Sequence, residues 1–182
     1  MPAHISTTHR YMTGFTTEEK VARAERLIGY RFHNKILALQ ALQSGSRDKN
    51  VVVYADDHFE VPNNKNLAIH GDIILDHVLC LRWLRTGGQA KTWDEIRKET
   101  VSDNALDHMG KMLGLDKCVL VTDLQLLQNT QKLGWKSMAT AVEALIGAVY
   151  LDASGGDHGE GLKVAARVMD GLGFFRHPNF GG

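Results

Sequence analysis

Two long apolar runs, Leu67 to Leu84 and Met138 to Leu151, constrain this chain most, because each carries apolar residues around much of a helix circumference and each is interrupted by an acid. In the first, Leu67, Ile69, Ile73, Ile74, Val78, Leu81 and Leu84 recur at helical spacing with Asp72 among them. The second surrounds Glu143. A helix apolar on nearly every side is a buried one, so both runs are predicted to form the centre of an all-α bundle. An acid inside such a helix is costly unless it is paired, hydrogen-bonded or metal-bound. Asp72 and Glu143 are therefore the first candidate functional residues.

Shorter helices surround these two. Thr16 and Glu19 make a capping box for a stripe of Val21, Ala24, Leu27 and Ile28, which stops at Gly29. Asn34 caps a second helix with Ile36, Leu37, Leu39 and Leu42 inward, ended by Gly45 and Ser46. Residues 47–64 turn polar and fit either a short strand at Val51 to Tyr54 or a long surface loop. Gly87 and Gly88 end the first long run, Thr92 to Gly110 reads as further helix, and Leu113 to Leu115 as a turn. Cys118 to Val121 forms a short apolar bridge, and Leu124 to Trp135, rich in Gln and Asn, takes no assignment. Ser137 is predicted to cap the second long helix, and Gly159 to Leu172 is amphipathic through Leu162, Val164, Ala165, Val168 and Met169. The expected organisation is a flexible arm at 1–13, one domain at 14–176 and a tail at 177–182.

At 182 residues and 43% hydrophobic content, the chain can bury one core. Cys80 and Cys118 lack metal-ligand spacing and sit in apolar surroundings, which reads as two buried thiols in an intracellular, reducing compartment. No apolar run reaches the length of a membrane span. Lys plus Arg equals Asp plus Glu at 21 each. A global basic excess for gripping nucleic-acid phosphates is excluded, leaving local patches at Lys91, Arg97 and Lys98, or Lys132 and Lys136.

Positions 68 and 72 are four apart and positions 140 and 143 three apart, so each pair projects from one helix face. Four acids there would cage hard divalent cations for phosphodiester hydrolysis. This chain places Ala68 and Thr140 at two of those positions. Magnesium manages with one or two carboxylates plus water, so Asp72 and Glu143 are expected to hold Mg2+ weakly. Lys65 lies on the Ala68 and Asp72 stripe, where its ammonium is expected to replace part of a metal's charge and keep Asp72 ionised. His70 is a candidate acid-base residue or a core histidine. Asp76, one turn beyond Asp72, is a substitute acid or an interface position; His77 and His108 complete no ligand spacing.

The ordered set ALQSGS at Ala41 to Ser46, NKNLAIHGDIIL at Asn64 to Leu75, RKETVSDNAL at Arg97 to Leu106, GLD at Gly114 to Asp116 and TAVEALIGAVYLD at Thr140 to Asp152 resembles the endonuclease domain of the ribonuclease III family. The likeness covers most of the chain. It implies an all-helical domain that dimerises through the helix bearing Ile69 and, in active members, cuts double-stranded RNA with magnesium in a shared valley. Asp72 then matches the family's GD aspartate and Glu143 its EA glutamate. Ala68 stands where a glutamate is expected, Thr140 where an aspartate is, Lys65 where a further glutamate is, and Ile69 where an aromatic is. No room is expected after Gly173 for an appended double-stranded-RNA-binding domain.

Three functions compete at this point. One is a homodimeric divergent or pseudo-nuclease that binds or scaffolds structured RNA. Another is an enzyme using the former metal valley as a small-molecule pocket, with Asp72, Glu143 and His70 in acid-base roles. The last is a residual one-metal endoribonuclease.

Overall fold

The computed structural model describes residues 15–45, 47–121 and 135–180. The helices run α1 (Thr17–Ile28), α2 (Lys35–Leu42), α3 (Lys65–Leu84), α4 (Ala90–Thr100), α5 (Asp103–Leu113), α6 (Trp135–Ser154) and α7 (His158–Leu172). Between α2 and α3 stands a hairpin of β1 (Lys49–Tyr54) and β2 (Asp57–Pro62). The expected arm, Ser46, Lys132 and nearly all of the Gln- and Asn-rich stretch fall outside the described residues.

Helix α6 is the axis of the bundle, packed on α2, α3, α5 and α7. Ala139, Ala141, Val142, Ala144, Leu145, Ile146, Ala148 and Val149 are all buried along it. Small residues at that density let neighbouring backbones approach closely. The closest approach is to α3. A Cβ built on Gly71 would lie 1.8 Å from the Glu143 carbonyl oxygen, and one on Gly147 would lie 2.4 Å from the Leu67 carbonyl oxygen. As α3 advances from 67 to 71 its contact steps back from 147 to 143, so the two helices cross antiparallel with glycine at the contact.

The start of α3 is fixed by a polar clasp. Asn64, 3% exposed, uses its backbone N–H on the Gln43 carbonyl (3.0 Å) and its side-chain amide on the Ala41 carbonyl (3.3 Å). Gln43 in turn forms a parallel bridge with Leu120. Leu120 in the apolar segment, together with Ala41 and Gln43, thereby holds the α3 N-terminus in place.

Local signals at several termini act as the sequence predicts. The Thr16 and Glu19 capping box is formed, Gly29 closes α1 in the left-handed region, and Asn34 caps α2. Other elements depart from expectation. In residues 47–64 the strand alternative holds, with Val51 to Tyr54 inside β1, and it pairs with an unexpected β2 across a turn at Ala55 and Asp56, both at positive φ (52° and 65°), as a two-residue turn of the twist-matched kind requires. Thr92 to Gly110 is two helices, because Ser102 takes an extended conformation and accepts a hydrogen bond from the Ala105 N–H. Ser137 is not a cap, since α6 already begins at Trp135. The segment from Pro178 to Phe180 folds back as a short 3-10 turn with Phe180 buried.

Helix α3 is not buried on all sides. Ile69 and Ile73 are 65% and 60% exposed, and Leu81 and Leu84 are also exposed. Cys80 is only partly buried, while Cys118 is fully buried and its thiol is pushed up to about 11 by desolvation.

Candidate active site

Backbone contact between Gly71 and Glu143 sets the geometry here. Asp72 follows Gly71 directly, so the crossing that needs two glycines also brings an α3 carboxylate beside the α6 carboxylate of Glu143. Asp76 lies one turn further on the same face of α3. Helix α4 contributes Arg97, whose Nε donates to Asp76 Oδ1 at 2.8 Å. Asp103 opens α5, placed there by the Ser102 cap.

The electrostatics of these groups are coupled. Glu143 is pushed up to about 7 by burial first, then by the negative charges of Asp72 and Asp103. Asp72 is raised by burial, with Asp76 and Asp103 adding to the shift and Arg97 opposing it. This is a net-negative valley in which the Asp72 and Asp103 charges make Glu143 harder to ionise, and Asp76 and Asp103 do the same to Asp72.

Sequence reasoning placed four residues here, and the fold brings two of them together. Asp72 and Glu143 meet. Lys65 does not supply the expected counter-charge: it is exposed at the first residue of α3, and the cation whose charge reaches Asp72 is Arg97. Asp72 accordingly shifts toward the protonated form rather than being held ionised. The physical reason is that stripe spacing measures neighbours along one helix, whereas Arg97 arrives from another.

His70 is also apart from the pair. Residues two apart on a helix point to nearly opposite sides. The His70 ring packs edge-on against Tyr150 (centroids 5.0 Å), and Tyr150 shares a 2.8 Å hydrogen bond between its hydroxyl and His158 Nδ1. Among the described residues His70 Nε2 has no hydrogen-bond partner, and the ring stands on the Tyr150 side of α3, apart from the carboxylate pair. His77 and His108 are exposed.

The altered valley positions are explicit. Ala68 is 5% exposed and belongs to the core, and Thr140 is half-buried. Asp103 was missed by sequence reasoning, although the Ser-Asp pair that starts α5 was a readable cap signal within a motif already singled out. Among the described residues, no three His, Cys, Asp or Glu side chains converge as a ligand set for a metal ion. Asp72 and Glu143 are the residues that would hold a hydrated Mg2+, its remaining ligands being water.

The raised Glu143 carboxyl makes a prediction about stability. A carboxyl whose folded pKa lies above its unfolded value stabilises the fold most below the unfolded value, and that stabilisation is lost as pH rises through about 7. Glu143→Gln should therefore stabilise the protein at pH 8 by about 1 kcal/mol, allowing for the group's partial exposure, and change little at pH 4.5. Thermal melts of both proteins across that range check this. An equal difference at both pH values would refute it.

A ribonuclease III domain model matches residues 65–154. The chain is 29% identical over 143 residues to ribonuclease 3 of Carboxydothermus hydrogenoformans, covering 74% of this chain and 56% of that protein. It is 32% identical over 145 residues to ribonuclease 3 of Clostridium perfringens, covering 78% of this chain and 54% of that protein. It thus spans about half the length of the curated relatives it matches. In three dimensions it resembles the nuclease domain of ribonuclease III from Campylobacter jejuni, with a TM-score of 0.65 at 20% identity, covering 86% of this chain and 96% of that one. That structure was described for flexibility in a region involved in its dimer formation. A second structure of the same domain gives a TM-score of 0.62.

Proposed function

The chain carries a domain of the ribonuclease III family, and from that premise we propose that it is a homodimeric, double-stranded-RNA-binding member whose valley does not sustain two-metal cleavage. The observation that carries this reading is the α3 and α6 crossing, where Asp72 meets Glu143 while Ala68 is sealed in the core and Thr140 offers only a hydroxyl. Two-metal catalysis clamps both the attacking and the leaving oxygen. Of the valley carboxylates, Asp76 is engaged by Arg97 and Asp103 is exposed at the start of α5, which leaves Asp72 and Glu143 as facing ligands for one ion.

Asp72 and Glu143 would hold that ion, and Mg2+ when bound would offset their charge and polarise a phosphate oxygen. Glu143 must lose its proton first, so occupancy rises as pH passes about 7. Homodimerisation is supported by Ile69 and Ile73, which form an uncovered apolar stripe directly beside the Asp72 and Asp76 row. A two-fold contact through that stripe buries it and sets two valleys side by side.

The small-molecule reading finds less support, because it needs His70 to act with Asp72 and Glu143, and His70 lies on the Tyr150 side of α3. In the proposed reading, the protein is retained on immobilised double-stranded RNA at low salt and elutes steeply as salt rises. Absence of retention at low salt would remove it.

A further inference from the structure

We infer that Arg97 is a phosphate-contact residue of the valley, held in register by Asp76. This rests on the RNA-binding function proposed above and adds to it a group that the carboxylate pattern does not identify. The valley gathers Asp72, Asp76, Asp103 and Glu143, so an approaching phosphate meets net negative charge. A single Mg2+ offsets only part of this. Arg97 is the cation whose charge acts on both Asp72 and Asp76.

The local geometry fits a docking role. Arg97 uses its Nε, the inner donor of the guanidinium, on Asp76 Oδ1 at 2.8 Å. That anchor leaves the terminal Nη groups, with four of the five N–H donors, without a partner among the described residues. The side chain is 45% exposed. An exposed Arg–Asp pair adds little to stability, so stability alone does not explain its placement between two acids. An arginine steered by one carboxylate, with its fork left open, suits bidentate recognition of a phosphate oxygen pair. Asp76, which the sequence left as either a substitute acid or an interface position, becomes the positioning residue for that fork.

The test is the salt dependence of binding to a plain double-stranded RNA of fixed length, measured by fluorescence anisotropy without divalent cations, on the full chain. Each lost phosphate contact lowers the slope of log K against log salt by about 0.9, which at 0.1 M salt is about an eightfold loss of affinity. Arg97→Gln should show that loss in slope and affinity while its melting temperature stays close to wild type. Arg97→Lys should keep the wild-type slope, since the charge remains, with part of the affinity lost with the fork. Asp76→Asn should weaken binding without reducing the slope.

An Arg97→Gln protein with wild-type slope and affinity overturns the inference while leaving the RNA-binding reading intact. Wild-type protein that fails to bind the RNA at low salt overturns both. A slope lost equally in Arg97→Gln and Arg97→Lys shows that the loss follows a disturbed valley rather than the removed charge and also overturns the inference.

Discussion

Gly71→Ala should destabilise the fold by about 3 kcal/mol or more, in urea denaturation followed by helical circular dichroism. The added Cβ would stand 1.8 Å from the Glu143 carbonyl oxygen and 2.6 Å from its carbonyl carbon, and both are backbone atoms of the central helix. No rotamer change relieves a clash with backbone. The helices must separate instead, which opens the packing between α3 and α6 as well as the valley. Gly171 is the control, because it also lies in a helix but has open space where its Cβ would be. Gly171→Ala should stabilise by about 0.5–1 kcal/mol through the reduced entropy of the unfolded chain and better helix propensity. The same chemical change thus has opposite signs at the two sites. If Gly71→Ala unfolds at the wild-type urea concentration, the tight α3 and α6 crossing is wrong.

A comparable loss is expected for Asp152→Ala. The Asp152 side chain is only 2% exposed. It accepts hydrogen bonds from the Tyr30 hydroxyl, the His33 N–H and the Asn34 N–H, each at 2.8 Å, with His33 Nδ1 at 3.2 Å. One carboxylate at the end of α6 thereby ties down the chain between α1 and α2, including the N-cap of α2. Truncation leaves several of these donors without an acceptor, and a cost of about 3 kcal/mol at pH 7 follows.

The cost of that substitution also depends on pH in a definite direction. Burial alone would raise the Asp152 carboxyl, but the hydrogen bonds from Asn34, His33 and Tyr30 outweigh it and hold the group below the ordinary carboxylate value. A depressed folded pKa gives stability that is present above the unfolded value, near 3.9, and is lost as pH falls through the folded one. The difference between wild type and Asp152→Ala should therefore shrink in denaturation curves taken below pH 4. A difference that is constant from pH 7 to pH 3 would mean that the carboxylate's charge plays no part.

These two sites show what was legible in the sequence and what was not. The capping box at Thr16, the stop at Gly29 and the cap at Asn34 are local interactions within a few residues, and they act as local patterning predicts. The meeting of Asp72 and Glu143 followed from the family resemblance, and the glycines that allow it are part of the same motifs. Contacts between helices were not readable. The Arg97 charge on Asp72 and the arrival of Asp103 depend on where α4 stops and α5 starts, and that break was hidden in a stretch read as one helix. The second strand of the hairpin escaped for another reason: the turn is Ala55–Asp56, without the Asn-Gly or Asp-Gly pair that marks such turns. The exposure of Ile69 and Ile73 was legible in part: the family resemblance put Ile69 at a contact between copies, whereas apolar patterning alone counted the whole helix as buried.

Binding of double-stranded RNA without cleavage separates the proposed function from that of an active nuclease. The most direct measurement mixes excess protein with end-labelled double-stranded RNA and Mg2+ at pH 8, then runs one portion on a native gel and another on a denaturing gel. The expected result is a shifted complex whose RNA stays full length. RNA cut by the wild-type protein and left whole by Asp72→Asn would contradict it.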